Sequence, residues 1–219
     1  MIMLNRFMII GTRHAKSGNL LKVLTLNLML FISSCQSSGC LDSGVSMNNW
    51  AKDLYRSSEP GSNIKEIVSN MNTSLPESIS SLYKDLLGRW NYVDDQDIDR
   101  AADAEDIAAM KNPEGDCEDF ASLMFSFCRE LKISARIVLA ESKSDENIGH
   151  VWVDILLGNR AENIATINKI SSYFDDKIIL HKDSDHYWIS LFPNIEEYDS
   201  YKVTHYIYYD PDFRLEKTN

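Results

Sequence analysis

The 219-residue sequence has few cysteines and no long apolar run. Its four cysteines form no Cys-x-x-Cys pair and no Cys/His set with zinc-ligand spacing, so neither a disulfide scaffold nor a structural zinc site is predicted. Its most apolar stretch, residues 23–34, would span about 18 Å as a helix, whereas a bilayer core is about 30 Å thick. The rest of the composition, 44% hydrophobic and 25% charged, is typical of one globular domain.

Positive charge is also scarce. The chain has 22 Lys and Arg residues against 33 Asp and Glu residues, which gives a formal net charge of -11. Contacts to phosphates need clustered Lys and Arg side chains, so binding of nucleic acid through a general basic surface is disfavoured. We therefore expect no nucleic-acid partner.

The basic residues of the N-terminal segment stand apart from this acidic body. Residues 1–34 contain four basic residues and no acidic one, and their short apolar run ends in small residues. This pattern is typical of a secretory signal. Ile32-Ser33-Ser34-Cys35 resembles the lipobox of bacterial lipoproteins. The resemblance implies cleavage before Cys35 and attachment of lipid to Cys35, so that the protein would face the periplasm or the cell surface on a membrane anchor.

The domain boundaries follow from this interpretation. Residues 1–34 would be the signal peptide, residues 35–47 a polar tether, and residues 48–219 a single domain. The alternative is a buried N-terminal helix of a cytoplasmic protein. The start codon stays open, because Met3 or Met8 would give a basic region of more usual length.

The hydrophobic pattern changes period along the domain. Apolar residues recur at helical spacing in the first half, and we predict helices around residues 64–71, 75–87, 99–110 and 117–131, with a loop at 112–115. Runs rich in β-branched and apolar residues then predict strands at 135–141, 149–157, 177–181, 186–192 and 202–209, interrupted by a helix at 161–173. Helices followed by strands indicate an α+β fold, with a helical N-terminal half packed on a mainly antiparallel sheet.

Cys117 stands where a thiol becomes reactive. It follows Gly115-Asp116 at the predicted start of a helix. The exposed N–H groups and the positive dipole end of a helix favour thiolate over thiol, and they can also bind an oxyanion. His150 lies on a later predicted strand. A cysteine and a histidine in this arrangement are the two parts of a nucleophile with its base.

Three motifs resemble the core of the transglutaminase-like superfamily. They are GDCEDFA at 115–121, LKISAR at 131–136 and HVWV at 150–153, within a likeness that covers roughly residues 89–210. The resemblance implies a papain-like fold with a Cys-His-Asp triad. It makes Cys117 the nucleophile and His150 the general base and acid.

The third triad member departs from the family pattern. Phe192 occupies the position where the resemblance leads us to expect Asp, and Asp210, in the next Asp-Pro pair, is our candidate instead. Asp154 shares a strand face with His150, but four strand residues separate them by about 13 Å. This distance is too long for the Asp154 carboxylate to accept a hydrogen bond from the imidazole. An Asn or a backbone carbonyl could also orient His150, because that role requires only an acceptor.

The resemblance and the signal together imply an exported cysteine-dependent enzyme. It would act on amide bonds of a protein or cell-wall peptide through a Cys117 thioester, as a peptidase, an amidase or a transglutaminase-type acyl transferase, without a cofactor. The alternative is a non-catalytic transglutaminase-like binding module of the cell envelope. Phe192, at the position where an Asp is expected, would indicate this alternative.

Other conspicuous residues have simpler interpretations. We expect Cys128 in the core and the other strand histidines, His181, His186 and His205, at the surface or in packing. Alternating Asp95, Asp97 and Asp99 give a partial calcium-loop spacing, but Arg100 stands where the turn needs Gly, so we predict no metal site.

Overall fold

A computed structural model of the chain describes residues 46–71, 75–93, 101–145, 149–159, 172–174, 179–183, 186–192, 195–209 and 213–218. The predicted signal peptide and Cys35 lie outside these residues. So do Asp210, the alternating aspartates at 95–99 and most of the helix predicted at 161–173.

Helices occupy the first half of the described chain. They are α1 (Met47–Ser57), α2 (Ser62–Ser69), α3 (Leu75–Arg89), α4 (Ala104–Ala108) and α5 (Cys117–Glu130). A 3₁₀ helix, Ile195–Ser200, lies later in the chain. None of the helices within the described ranges is long and apolar enough to cross a membrane.

Strands dominate the second half. Two short strands, β1 (Asn91–Tyr92) and β2 (Glu114–Gly115), pair in parallel beside the helices. The main sheet has six strands within the described residues: β3 (Ala135–Ser142), β4 (Gly149–Asn159), β5 (Ile179–Lys182), β6 (His186–Leu191), β7 (Tyr201–Tyr208) and β8 (Arg214–Lys217). Their order across the sheet is β5-β6-β4-β3-β7-β8. Every neighbouring pair is antiparallel, which confirms the predicted α+β class.

The two faces of the sheet have different partners. Helix α5 packs on one face, which we call the helix face; its apolar side chains meet Ile137, Val153 and Ile189 in the main core. Successive strand residues point to opposite faces. Trp152 and Phe192 therefore lie on the other face, which we call the aromatic face, in a smaller separate cluster with Val138 and Ala140.

A reciprocal cap fixes the start of α5. The Asp116 carboxylate accepts hydrogen bonds from the backbone N–H groups of Glu118 and Asp119. The Asp119 carboxylate accepts in return from the Asp116 N–H, and also from that of Ala102. Gly115 has a φ of +150°, and a Cβ there would collide with the Asp119 side chain. The backbone just before Cys117 is therefore tightly constrained.

Helix α2 is capped by a side chain from another helix. The Glu105 carboxylate on α4 accepts from the backbone N–H groups of Asn63 and Ile64 and from the Ser62 hydroxyl. Desolvation acts to raise the pKa of Glu105, but these hydrogen bonds outweigh it and lower the pKa. The contact joins α4 to the start of α2, whose backbone N–H groups would otherwise lack an acceptor from a side chain.

Several predicted boundaries differ from the structure. The helix expected over 99–110 is confined to α4, because Asp103 caps its start by accepting from the Glu105 N–H. The predicted loop at 112–115 ends in strand β2, since its backbone pairs with β1. Strand β8 is a further element, and Leu215 is the one apolar residue in its four positions. Cys128 is fully buried in the core as predicted.

We predict that Glu105→Ala lowers the free energy of unfolding at pH 7 by about 1 kcal/mol, as loss of a helix cap does. Because the pKa of Glu105 is lowered in the folded protein, its contribution to the free energy of unfolding is fully present above the pKa of an unfolded Glu, about 4.3. This contribution is lost as the pH falls below that pKa. Urea denaturation at pH 7 and pH 3.5 measures both effects. Exposed Asp106 on the same helix is the control; an equal loss in Asp106→Ala would contradict the capping role.

Candidate functional site

Cys117 is the first residue of α5, where the sequence placed it. Its side chain is partly exposed and packs against the core of the helix face. The Asp116 cap precedes it directly. The thiol therefore lies beside the first-turn N–H groups of a 14-residue helix, the position at which a helix favours an anion.

His150 lies near the start of β4, opposite Ala140 of β3. Its ring stacks on Tyr201 at a centroid distance of 5.0 Å and meets the ring of Phe192 at 4.8 Å. Trp152 lies 6.1 Å away. The Nδ1 atom is buried and has no hydrogen-bond partner in the part of the chain that the structure describes. Aromatic rings, rather than a hydrogen bond to this nitrogen, surround the imidazole.

The two predicted catalytic residues have different surroundings. His150 lies among the rings of the aromatic face, whereas Cys117 packs against the core under α5. Asp210 lies outside the described residues. The structure thus places Cys117 on the helix face and His150 on the aromatic face of the sheet. The assignment of Cys117, His150 and Asp210 as a catalytic triad stays a prediction.

Phe192 stands directly against the imidazole of His150. It is 1% exposed and also contacts the rings of Trp152 and Tyr198. This is the position at which the family resemblance leads us to expect a carboxylate. An apolar ring at this place cannot accept a hydrogen bond from an imidazole N–H as a carboxylate does.

Asp154 anchors a buried polar cluster that the sequence did not reveal. Its side chain is 1% exposed. Oδ1 accepts hydrogen bonds from Trp152 Nε1 at 3.1 Å and Ser190 Oγ at 2.6 Å. Oδ2 accepts from Arg136 Nε at 3.1 Å, and His181 Nε2 lies 3.2 Å from the same oxygen. Four side chains from four strands thus converge on one carboxylate.

Arg136 supplies the positive charge of this cluster. Its guanidinium lies between the rings of Trp188 and Tyr206, at 3.9 and 3.7 Å from their centroids. Nη1 is 3.6 Å from a carboxylate oxygen of Asp183. Aromatic faces attract a cation, so the two rings replace part of the hydration that burial removes.

The cluster favours ionised Asp154. Burial alone would raise the pKa of this carboxyl, but the nearby His181 ring, the charge of Arg136 and the hydroxyl of Ser190 outweigh burial. The pKa of Asp154 is therefore held below its ordinary value.

A signal for this pair was present in the sequence. Arg136 and Asp154 are charged residues inside two otherwise apolar strands, and they face each other in the β3–β4 register. The signal for His181 was absent, because only the pairing of β5 with β6 brings it to Asp154. Within the described ranges, no group of three or more His, Cys, Asp or Glu residues is placed to hold a metal ion.

We predict that Asp154→Asn lowers the free energy of unfolding at pH 7 by about 3–5 kcal/mol, because Arg136 then keeps a buried charge without its carboxylate. The lowered pKa makes the contribution of Asp154 present above the unfolded value of about 3.9 and lost as the pH falls below it. The difference between the wild type and the variant should therefore shrink from pH 7 to pH 3 in denaturation curves.

The control for this prediction is Asp53→Asn. Asp53 pairs with Arg56 at the surface, and such a pair contributes at most about 1 kcal/mol. Equal losses in the two variants, or a difference between the wild type and Asp154→Asn that grows on acidification, would contradict the described cluster.

The site falls within a segment that matches a known family. Residues 62–164 match the family model of the transglutaminase-like superfamily, and this segment includes Cys117, His150 and Asp154 but ends before Phe192. No curated protein and no solved structure matches the chain. The comparison thus shows a transglutaminase-like segment over residues 62–164, which is just under half of the chain.

Proposed function

We propose that this protein is a cysteine-dependent enzyme that acts on amide bonds, with Cys117 as its nucleophile. The observation that carries the proposal is the partly exposed thiol at the first residue of α5, behind a reciprocal cap. The match of residues 62–164 to a superfamily that includes cysteine-dependent enzymes supports it. The proposal assigns His150 the role of general base and acid, with Asp210 as its candidate partner.

The proposed reaction has two steps. In the first, the proton of Cys117 passes to His150, and sulfur attacks the carbonyl carbon of the amide. The C–N bond then breaks, and the amine leaves with the proton from His150 while a thioester remains on Cys117. In the second, water or an amine adds to the thioester, gives its proton to His150 and releases the thiol. First-turn N–H groups of α5 would stabilise the oxyanion in both steps.

The proposed location is the bacterial cell envelope. The basic N-terminal segment, its short apolar run and the lipobox-like residues before Cys35 support export and lipid attachment. A protein or cell-wall peptide is the proposed substrate, because amide bonds of this kind are abundant at that location. Water as acceptor gives a peptidase or amidase, and an amine gives an acyl transferase.

A second candidate function rests on Phe192. Its ring packs on His150 where the family resemblance calls for a carboxylate, and the buried Nδ1 of His150 has no hydrogen-bond partner among the described residues. A domain that has lost the orienting carboxylate would serve as a non-catalytic binding module. The two candidates differ in the reactivity of Cys117 and in its dependence on His150.

We predict that iodoacetamide alkylates Cys117 rapidly below pH 7, well under the ordinary thiol pKa of about 8.5. Cys128 is the internal control, because it is fully buried and burial raises the pKa of its thiol. Mass spectrometry of the full chain, alkylated from pH 5 to pH 9, measures both residues at once. His150→Ala should remove the advantage of Cys117.

Two outcomes would overturn the enzymatic proposal. The first is a Cys117 thiol that reacts no faster than an ordinary thiol, which would favour the binding module. The second is equal turnover of a peptide substrate by Cys117→Ala and the wild type. Cys117→Ala should retain the thermal stability of the wild type, since the side chain is only partly buried.

We predict that Cys35 carries lipid when the full-length chain is expressed in a bacterial host. Metabolic labelling with an alkyne fatty acid should mark the wild type and should not mark Cys35→Ala. Cys40→Ala is the matched control, because it removes a cysteine five residues later in the predicted tether. Equal labelling of the wild type and Cys35→Ala would exclude lipid attachment at Cys35.

A further inference from the structure

We infer that Asp154 is a positioning residue for His150 and that it acts through the indole of Trp152. The inference rests on the proposed function, in which His150 transfers the protons. It goes beyond that function because it places the orienting carboxylate on the strand of His150 itself, where it holds an aromatic ring and not the imidazole.

The anchor of this arrangement is rigid. Asp154 is held from three strands, by Arg136 on β3, Ser190 on β6 and its own backbone on β4. Arg136 is in turn fixed between two aromatic rings. A carboxylate with this number of partners in a buried site has little freedom to turn.

Trp152 transmits that rigidity to His150. Its indole is 1% exposed, and Nε1 donates to Asp154 Oδ1. Rotation of the indole would leave this N–H buried without an acceptor, which is unfavourable. The same indole packs on Phe192 at 5.1 Å and lies 6.1 Å from His150. The orientation of Trp152 therefore limits the space open to the imidazole.

Nothing in the described surroundings of Nδ1 fixes the imidazole by a hydrogen bond. The ring is instead bounded by Phe192, Tyr201 and Trp152. Within this set, Trp152 donates a hydrogen bond to a buried carboxylate. Asp154 is too far along the strand to bond His150 directly. It can orient the imidazole through the indole of Trp152.

The test compares two neutral replacements of similar size, Asp154→Asn and Asp154→Leu. Both remove the charge that faces Arg136, but only Asn keeps an oxygen that accepts from Trp152 Nε1. Both are made in an Arg136→Met background, because replacing both members of a buried ion pair by other groups is often tolerated. Ser190→Ala is a further control, since it removes a different hydrogen bond to the same Oδ1.

The readout is the His150 imidazole in the full chain, followed by NMR of histidine-labelled protein and assigned with His150→Gln. Its ring-proton shifts report the orientation of the neighbouring rings. We expect Arg136→Met/Asp154→Asn and Ser190→Ala to keep the His150 ring-proton shifts of the wild type, because both variants keep an oxygen that accepts from Trp152 Nε1. Arg136→Met/Asp154→Leu should move these shifts.

Identical His150 signals in the Asn and Leu variants would overturn the inference, even if their thermal stabilities differ, since a structural role alone would move only stability. The alkylation rate of Cys117 separates this inference from the proposed function. If His150→Ala leaves that rate unchanged, the proposed catalytic pair is wrong, while the NMR comparison still decides the role of Asp154. If both hold, Arg136→Met/Asp154→Leu should slow the alkylation of Cys117 relative to Arg136→Met/Asp154→Asn.

Discussion

The ionised carboxylate of Asp154 is the constraint on which the aromatic face depends. It is buried at the centre of the sheet and receives hydrogen bonds from Arg136, Trp152 and Ser190. An unpaired charge in this place would be strongly destabilising, so the partners must keep their geometry. Through them the carboxylate ties together the central strands β3, β4 and β6 and sets the position of an indole beside His150.

The sheet separates two kinds of order. On the helix face, α5 and its reciprocal cap place the Cys117 thiol at a helix start. On the aromatic face, aromatic rings surround His150, and a buried ion pair joins Arg136 and Asp154. The proposed chemistry requires both, because the nucleophile needs its helix and the base needs a defined ring plane. Phe192 packs on His150 at the position where a carboxylate was expected. At this position the imidazole therefore meets an aromatic ring and not a hydrogen-bond acceptor.

The sequence predicted well what depends on local spacing. The start of α5 at Cys117 and the approximate positions of β3, β4, β6 and β7 follow from capping residues and hydrophobic period. It predicted poorly what depends on strand order. The sheet brings His181 from β5 to Asp154, and no local pattern contains that pairing. The sequence did not predict the role of Asp154 either, because its partners Arg136 and Ser190 come from neighbouring strands.

Hydrogen exchange of the tryptophan indole N–H groups tests the central claim most directly. Trp152 donates to a buried carboxylate, whereas Trp188 donates to Asp183, whose side chain is 38% exposed. Indole N–H signals of the folded chain, assigned with Trp152→Phe and Trp188→Phe, can be followed in deuterium oxide. The account predicts that the Trp152 signal persists to the limit set by global unfolding while that of Trp188 is lost earlier. Equally rapid loss of both signals would contradict the anchoring of Trp152 by Asp154.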